Sequence, residues 1–557
     1  MRFTRSLWVA LVAAQPVLFT GGTAQADGAP FPLPHGIHLG KNGRFFGDVC
    51  DHRFARHCLS MRMLPASYRP GALRPQAGNG YCDCGTANPC GGGSAAPPPA
   101  TMTPADVVAA YKLPASAKAN GKIVAIVDMP DATALSDLNV YRRAYGMAAL
   151  PACTGNGGLP DPSGGTPCFA AVDENGAVTS SAGDCQANDG ETGLDTEMVA
   201  AACPDCSIIL VQMTGADMTN GPQDADFITS AQSAAKLGAL AISMSYGGGE
   251  GGDPTGNQYT TPGHVVLAAA GDDGYEDDNV QGTSPEYPAS APDVLGVGGT
   301  TLQLSGTTYS EVVWNDGAMG GAGGSGCSTE FPLPAFQTQF LTTHPMAFGS
   351  CAMRASVDIS AAAEFAPAAN PQGGGIAEYD VVDGWTASVG TSAATPLVAA
   401  MLTRLGLTEQ VSSNLGFIYE NIAAFNDVTS GNNVLAGTCT GVMCNAGIGW
   451  DGPTGVGTPN GQKLAALGMS GGDDGGADGG SDASAGGLDG SGGSSGGIDS
   501  GSVGAGGDGG PENQDTTTKT AAGCSCRAGE ASALDGLTVL ALGGAVVGLA
   551  SRRRRRQ

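Results

Sequence analysis

The sequence predicts an α/β fold, doubly wound about a mostly parallel sheet with helices on both faces. Ile123-Val124-Ala125-Ile126-Val127-Asp128 is a short unbroken apolar run, the pattern of a parallel strand covered on both sides. Similar runs recur with helical spacing between them, which implies right-handed crossovers within one sheet. At 557 residues the chain exceeds one average domain, and a large α/β domain with flanking segments accounts for it.

After that first strand, helical spacing runs from Leu135 to Tyr145. A second helix over Glu191 to Ala202 leads into the strand Ile208-Ile209-Leu210-Val211-Gln212. A helix near Asp226 to Leu237 then precedes the strand Leu240 to Met244, and further strands fall at Val265 to Ala269 and Val294 to Val297. The clusters Gly247-Gly248-Gly249 and Gly320 to Gly326 lack the lysine of a phosphate loop and the spacing of a dinucleotide fingerprint, so they read as loops that could border a cleft.

The flanks carry export signals. Arg2 and Arg5, the apolar run around Leu7 to Ala14 and Ala24-Gln25-Ala26 have the layout of a secretory signal peptide over 1–26. Sixteen cysteines suit an oxidising compartment, and Cys50/Cys58, Cys203/Cys206 and Cys439/Cys444 fall in close pairs, with the pairing left open. The formal charge of −27 excludes a nucleic-acid partner, which would need a basic face, and a chain poor in lysine and arginine suits an acidic medium. Residues 27–100 form a cysteine-containing segment that ends near Ala96-Pro97-Pro98-Pro99. From 469 to 522 the chain is mainly Gly, Asp, Ser and Ala, too polar to build a core, and reads as a flexible linker. Beyond it come Cys524-Ser525-Cys526, an apolar run from Gly536 to Ala550 and Arg552 to Arg556, the order of a stop-transfer segment.

Gly390-Thr391-Ser392-Ala393-Ala394-Thr395-Pro396 holds the candidate nucleophile. The expectation is a tight turn at Ser392, followed by a helix from Leu397 to Leu405 with Pro396 in its first turn, so that the hydroxyl sits near a positive helix end. The base that a serine needs is not an obvious histidine. His35, His38, His52 and His57 precede the candidate domain, His344 lies in a polar stretch and His264 starts a strand. Carboxylates answer better: Glu191 and Asp195 are four apart and share one helix face, where mutual repulsion raises at least one pKa. Spacing alone favours the plainer reading, a solvated helix face.

Gly190-Glu191-Thr192-Gly193-Leu194-Asp195-Thr196-Glu197-Met198 resembles the Glu-x-x-x-Asp helix of the sedolisin family, the serine-carboxyl peptidases, and Gly390 to Pro396 resembles that family's Gly-Thr-Ser segment. Between them, Ile242 to Gly247, Ala270 to Gly274, Tyr287 to Ser290 and Val297 to Thr301 are also similar, so the resemblance spans 101–468. It implies a subtilisin-like fold and an acyl-enzyme endopeptidase acting on proteins or peptides at acidic pH. Ser392 would be nucleophile, Glu191 general base and acid, Asp195 the residue orienting Glu191, and Asp272 a protonated donor in the oxyanion hole.

Asn426 to Gly431 and Gly447 to Gly452 are each explained by Asx-turns. In order, the pair resembles the sedolisin calcium site, which implies one structural calcium ion held by the carboxylates of Asp427 and Asp451 and carbonyls of Val428, Gly447 and Gly449. Relatives in that family carry a long folded propeptide, and residues 27–100 look too short and cysteine-rich to be one. The tail from 523 to 557 resembles the C-terminal sorting signal of myxobacterial surface proteins. That implies display on the cell surface or outer membrane, or release, with membrane touched only through the tail before processing; the chain is separately expected to be a monomer. The rival readings are a subtilisin-type hydrolase, whose histidine is lacking here, and an inactive peptidase-like surface protein.

Overall fold

The computed structural model describes residues 37–39, 44–50, 56–64, 96–179, 190–213, 222–251, 257–276, 284–317, 320–369, 374–381, 384–435 and 437–469. The signal peptide, the linker and the sorting tail expected from sequence lie outside the described residues. Among the described residues no helix is long and apolar enough to cross a membrane.

The expected central strand is present as Ile123–Asp128 and is buried at every position. Side chains alternate along a strand, so its apolar run feeds two cores. Val124 and Ile126 pack with Leu138, Leu194 and Met198 on one face, while Ile123, Ala125 and Val127 pack with Phe227 and Ala231 on the other. Each fully buried large aliphatic side chain contributes roughly 1.5–3 kcal/mol, and an unbroken apolar run is what covering on both faces demands.

The main sheet runs, edge to edge, Thr308–Val313, Leu295–Ser305, Val265–Ala269, Ala241–Met244, Ile123–Asp128, Ser207–Gln212 and Phe169–Asp173, with Ile359–Pro367 also paired to Leu295–Ser305. All of these pairings are parallel except the hairpin joining Leu295–Ser305 to Thr308–Val313. Helices Ala134–Ala144 and Gly190–Ala202 lie within two residues of the sequence expectation, as does Asp224–Lys236.

Three expectations need correcting. The strand expected at Val294 to Val297 is Leu295–Ser305 and continues through Gly298 and Gly299. A β-carbon would stand 2.4 Å from the Pro453 carbonyl at Gly298 and 2.7 Å from Ala363 Cβ at Gly299. Glycine there admits close packing. For the same reason the two glycine clusters are not loops, since Tyr246–Gly249 and Gly321–Ser325 are strands. Finally, the helix after the nucleophile spans Thr391–Leu405, so Pro396 lies inside it instead of in its first turn.

Part of the N-terminal segment is woven into this domain. Phe45–Asp48 pairs with Met61–Met63, which in turn pairs antiparallel with Gly384–Val389. His57–Cys58 pairs antiparallel with Tyr246–Gly249. The three close cysteine pairs are bonded as Cys50–Cys58, Cys203–Cys206 and Cys439–Cys444, and Cys153–Cys168 and Cys327–Cys351 add two more bridges.

Candidate active site

The strand Gly384–Val389 ends at Gly390, whose φ of 146° reverses the chain into the Thr391–Leu405 helix. Few residues with a β-carbon adopt that conformation, and a methyl group there would fall 2.3 Å from the Leu59 carbonyl oxygen and 2.7 Å from Asp272 Oδ2. Ser392 is thereby the second residue of the helix, where a backbone N–H has no helical partner. That N–H donates to the Leu59 carbonyl at 3.1 Å.

Pro396 stands four residues after Ser392 and has no N–H to offer the Ser392 carbonyl. Ser245 Oγ lies 3.3 Å from that carbonyl and 2.9 Å from Asp195 Oδ1. One hydroxyl therefore ties the nucleophile's turn to the second acid. Ser392 Oγ itself donates to the Ser245 carbonyl at 3.3 Å.

Glu191 and Asp195 do share one helix face, and the face is not solvated: both are fully buried, as is every residue from Glu191 to Ala202. The helix packs against Thr391–Leu405, and its small residues let the two approach. Glu191 is engaged by the hydroxyls of Ser392 and Ser60. Burial pushes its carboxyl well above the usual range, the charges of Asp195 and Asp128 push it further, and the two hydroxyls pull it back. A carboxyl tuned upward beside a serine hydroxyl can take the serine's proton and return it to a leaving group.

Asp272 Oδ1 accepts the Thr391 N–H and the Thr391 hydroxyl, each at 2.8 Å. Burial raises its pKa well above the usual value, the Thr391 hydrogen bonds oppose the rise, and Asp273 adds to it. Asp272 Oδ2 is buried without a hydrogen-bond partner, and it lies no farther than about 5 Å from the Leu59 carbonyl oxygen. A proton on Oδ2 would make it a second donor beside the Ser392 N–H, which is the arrangement an oxyanion requires.

The structure thus brings Ser392, Glu191, Asp195 and Asp272 together. Sequence reasoning missed Ser245 and Thr391 as positioning residues, although both lie inside motifs it had singled out. It also missed Leu59 and Ser60, for which nothing local in the sequence is a signal. His264 is held at the strand start, its Nδ1 2.6 Å from the Ala239 carbonyl. His57 stands with Asp273 and Glu286, their ligand atoms within 4.8 Å of one another.

Of the residues expected to hold calcium, Asp427, Gly447, Gly449 and Asp451 come together. The Gly447 N–H donates to Asp451 Oδ2 at 3.0 Å and the Gly449 N–H to Asp427 Oδ2 at 3.1 Å, so one glycine loop spans both carboxylates. Burial and the neighbouring Asp427 charge push Asp451 up to about 7 despite its hydrogen bonds from Gly447 and Thr454. A buried carboxylate facing a second one fits a divalent cation in its donor chemistry.

Comparison with known proteins agrees with this geometry. Residues 171–409 match the subtilase family. The chain is 31% identical over 386 residues to kumamolisin of Bacillus sp. (strain MN-32), covering 66% of this chain and 63% of that one. It is 33% identical over 225 residues to sedolisin of Pseudomonas sp. (strain 101), covering 37% and 35% respectively. The chain therefore spans less than two thirds of the length of either relative. Pseudomonas sedolisin, a serine-carboxyl proteinase solved with two molecules of pseudo-iodotyrostatin, superposes with a TM-score of 0.52 at 25% identity, covering 67% of this chain and 99% of that one. These matches support a serine-type peptidase on a subtilisin-like fold, similar to the sedolisin and kumamolisin kind of serine-carboxyl peptidase.

Proposed function

We propose that the chain is an exported serine-carboxyl endopeptidase that hydrolyses proteins or peptides at acidic pH through an acyl-enzyme. The observation that carries this reading is the buried Glu191 carboxyl engaged by the Ser392 hydroxyl, with Asp195 one turn further along the same helix. Glu191 takes the Ser392 proton as Oγ attacks the carbonyl carbon and delivers it to the departing amine. Water, activated by Glu191, then releases the acyl group. The Ser392 N–H and a protonated Asp272 stabilise the oxyanion. Asp195 orients Glu191, and Ser245 links Asp195 to the nucleophile's turn.

Asp427 and Asp451, with the carbonyls of Val428, Gly447 and Gly449, would hold a calcium ion of structural function, neutralising paired carboxylates near the end of the domain. Export by the signal peptide and display or release through the tail complete the reading, as does action as a monomer. The test is hydrolysis of a denatured protein from about pH 3 to 8 by the parent, Ser392→Ala and Glu191→Gln. Acid activity lost in both variants upholds the mechanism; activity that survives Glu191→Gln sinks it, and an inert parent favours a dead scaffold.

A further inference from the structure

Tyr246–Gly249 is the middle strand of a small antiparallel sheet, with His57–Cys58 on one side and Glu286–Tyr287 on the other. His57 stands opposite Gly247 and Glu286 opposite Gly249. Alternate residues of a strand share a face, so His57 and Glu286 project from the same face of this sheet, on either side of the two glycines. Gly247 has no side chain to keep them apart. A β-carbon there would collide with Glu286 Oε2, and one on Gly271 would stand 2.6 Å from Oε1. Two glycines thus clear the seat of one carboxylate. Asp273 arrives from a third element, the strand Asp273–Tyr275 that begins two residues beyond Gly271. An imidazole and two carboxylates therefore have ligand atoms within 4.8 Å of one another. All three residues are buried, with His57 7%, Asp273 6% and Glu286 2% exposed.

The residues beside His57 are held in place. Arg56 forms an ion pair with Asp224 at 2.7 Å, donates to the Gly249 carbonyl at 2.7 Å and lies over the Tyr287 ring at 5.0 Å. Cys58 is bonded to Cys50. Leu59 then occupies the cleft, its N–H donating to the Ser245 carbonyl at 3.0 Å and its carbonyl accepting the Ser392 N–H at 3.1 Å. The imidazole thus comes from the N-terminal segment and both carboxylates come from the wall of the domain.

We propose that His57, Asp273 and Glu286 form a binding site for a zinc ion, and that the ion staples the segment around His57 to the cleft wall. Burying two carboxylates is costly unless positive charge meets them, and a dication supplies twice what one imidazole can. Nitrogen beside oxygen suits zinc, whereas calcium takes oxygen throughout, so the site differs in chemistry from that of Asp427 and Asp451. Ligand atoms about 2.0–2.2 Å from zinc stand roughly 3.4 Å apart in a tetrahedron, so side-chain shifts of about 1 Å close the trio on the ion. Water supplies the fourth ligand. The site needs no chemistry at Ser392.

The experiment titrates Zn2+ by calorimetry into the full chain carrying Ser392→Ala, stripped with chelator and then given excess Ca2+ to fill any all-oxygen site. It is run at about pH 7, where imidazole is available as a ligand. One zinc ion is expected to bind. His57→Ala and Glu286→Gln should each weaken it more than ~100-fold, since even outer-shell changes cost about 10- to 100-fold. His264→Ala should leave it intact. Cobalt in place of zinc should show the visible bands of a four-coordinate site, absent from the first two variants. Hydrogen exchange at the Cys58 and Leu59 amides should slow ~10-fold or more in excess zinc, because opening must then release the ion. Melting in chelator shows whether each variant is folded. A parent that binds no zinc overturns the proposal whatever the variants do, as does binding that survives in both variants. Zinc that binds without slowing exchange overturns the staple.

Discussion

Thr391 donates its backbone N–H and its hydroxyl to the same oxygen of Asp272, each at 2.8 Å, and the next residue is the proposed nucleophile Ser392. The Gly271 N–H in turn donates to the Thr391 hydroxyl at 3.2 Å. This chain fixes Asp272 rigidly against the helix start and commits Oδ1 as an acceptor. Only Oδ2 is left to carry the proton.

The first prediction concerns that proton. Burial holds the Asp272 carboxyl neutral well above the usual range, so its donor is present at acidic pH and disappears as pH rises through the raised pKa. Asp272→Ala should lose ~10²- to 10³-fold in kcat at low pH. Asp272→Asn, whose amide donates at any pH, should retain more activity than Ala and keep it further toward alkaline pH. Equal loss at every pH in a kcat profile would remove Asp272 from the oxyanion hole.

Ser245→Ala should act on turnover more than on binding. The change unties Asp195 and leaves the Ser392 carbonyl, already deprived of a partner by Pro396, without its hydroxyl. An unsatisfied buried acceptor costs about 1–3 kcal/mol. Lower kcat with little change in KM, a displaced acid limb of the pH profile and a lower Tm are expected. Ser245→Thr should restore part of both.

Stability should peak at acidic pH. Burial raises Asp131 from 3.8 to about 8 and Asp137 from 3.8 to about 6, with the Asp137 charge adding to the rise at Asp131 and the Asp380 charge adding at both. Folding then favours the protonated carboxyls. Their contribution is fully present below pH 4, where the unfolded chain is protonated too, and is lost as pH climbs through the raised values. Each pKa unit corresponds to about 1.4 kcal/mol. Melting of the Ser392→Ala chain, which cannot digest itself, should therefore fall from about pH 4 to pH 8, and Asp131→Asn should flatten that fall.

Calcium should reverse the trend locally. Burial pushes the Asp451 carboxyl up to about 7, so acid would protonate the proposed site and weaken cation binding. Chelator should lower Tm by several degrees at neutral pH and less at pH 4. Asp451→Asn should abolish the difference.

The cleft should favour a cationic substrate side chain at the place Arg56 occupies. There Arg56 meets Asp224 and the Tyr287 ring in the occupied cleft. Peptides with arginine at that place should be cut about 10-fold faster than the same peptides with glutamate. Asp224→Asn should erase most of the preference, as read from kcat/KM.

The fold was legible because burial on both faces leaves a mark in one dimension. Ile123–Asp128 has no polar alternation since both of its faces are covered, and Gly190–Ala202 announces itself by a Glu and an Asp one turn apart. Those local signals, with the Gly-Thr-Ser turn, determined the sheet and the helices and singled out Ser392, Glu191, Asp195 and Asp272 as candidates. The glycine runs misled because a glycine required for close approach looks the same as one required for a loop. Pro396 misled because its cost inside a helix is relieved by a hydroxyl 151 positions earlier in the chain, at Ser245. What only the tertiary structure decided was partnership at long separation: Thr391 with Asp272, Ser245 with Asp195, and above all Leu59 and Ser60 with Ser392 and Glu191. Hydrogen bonds between groups 50 or more residues apart leave no periodicity to read, because geometry and not spacing brings them together.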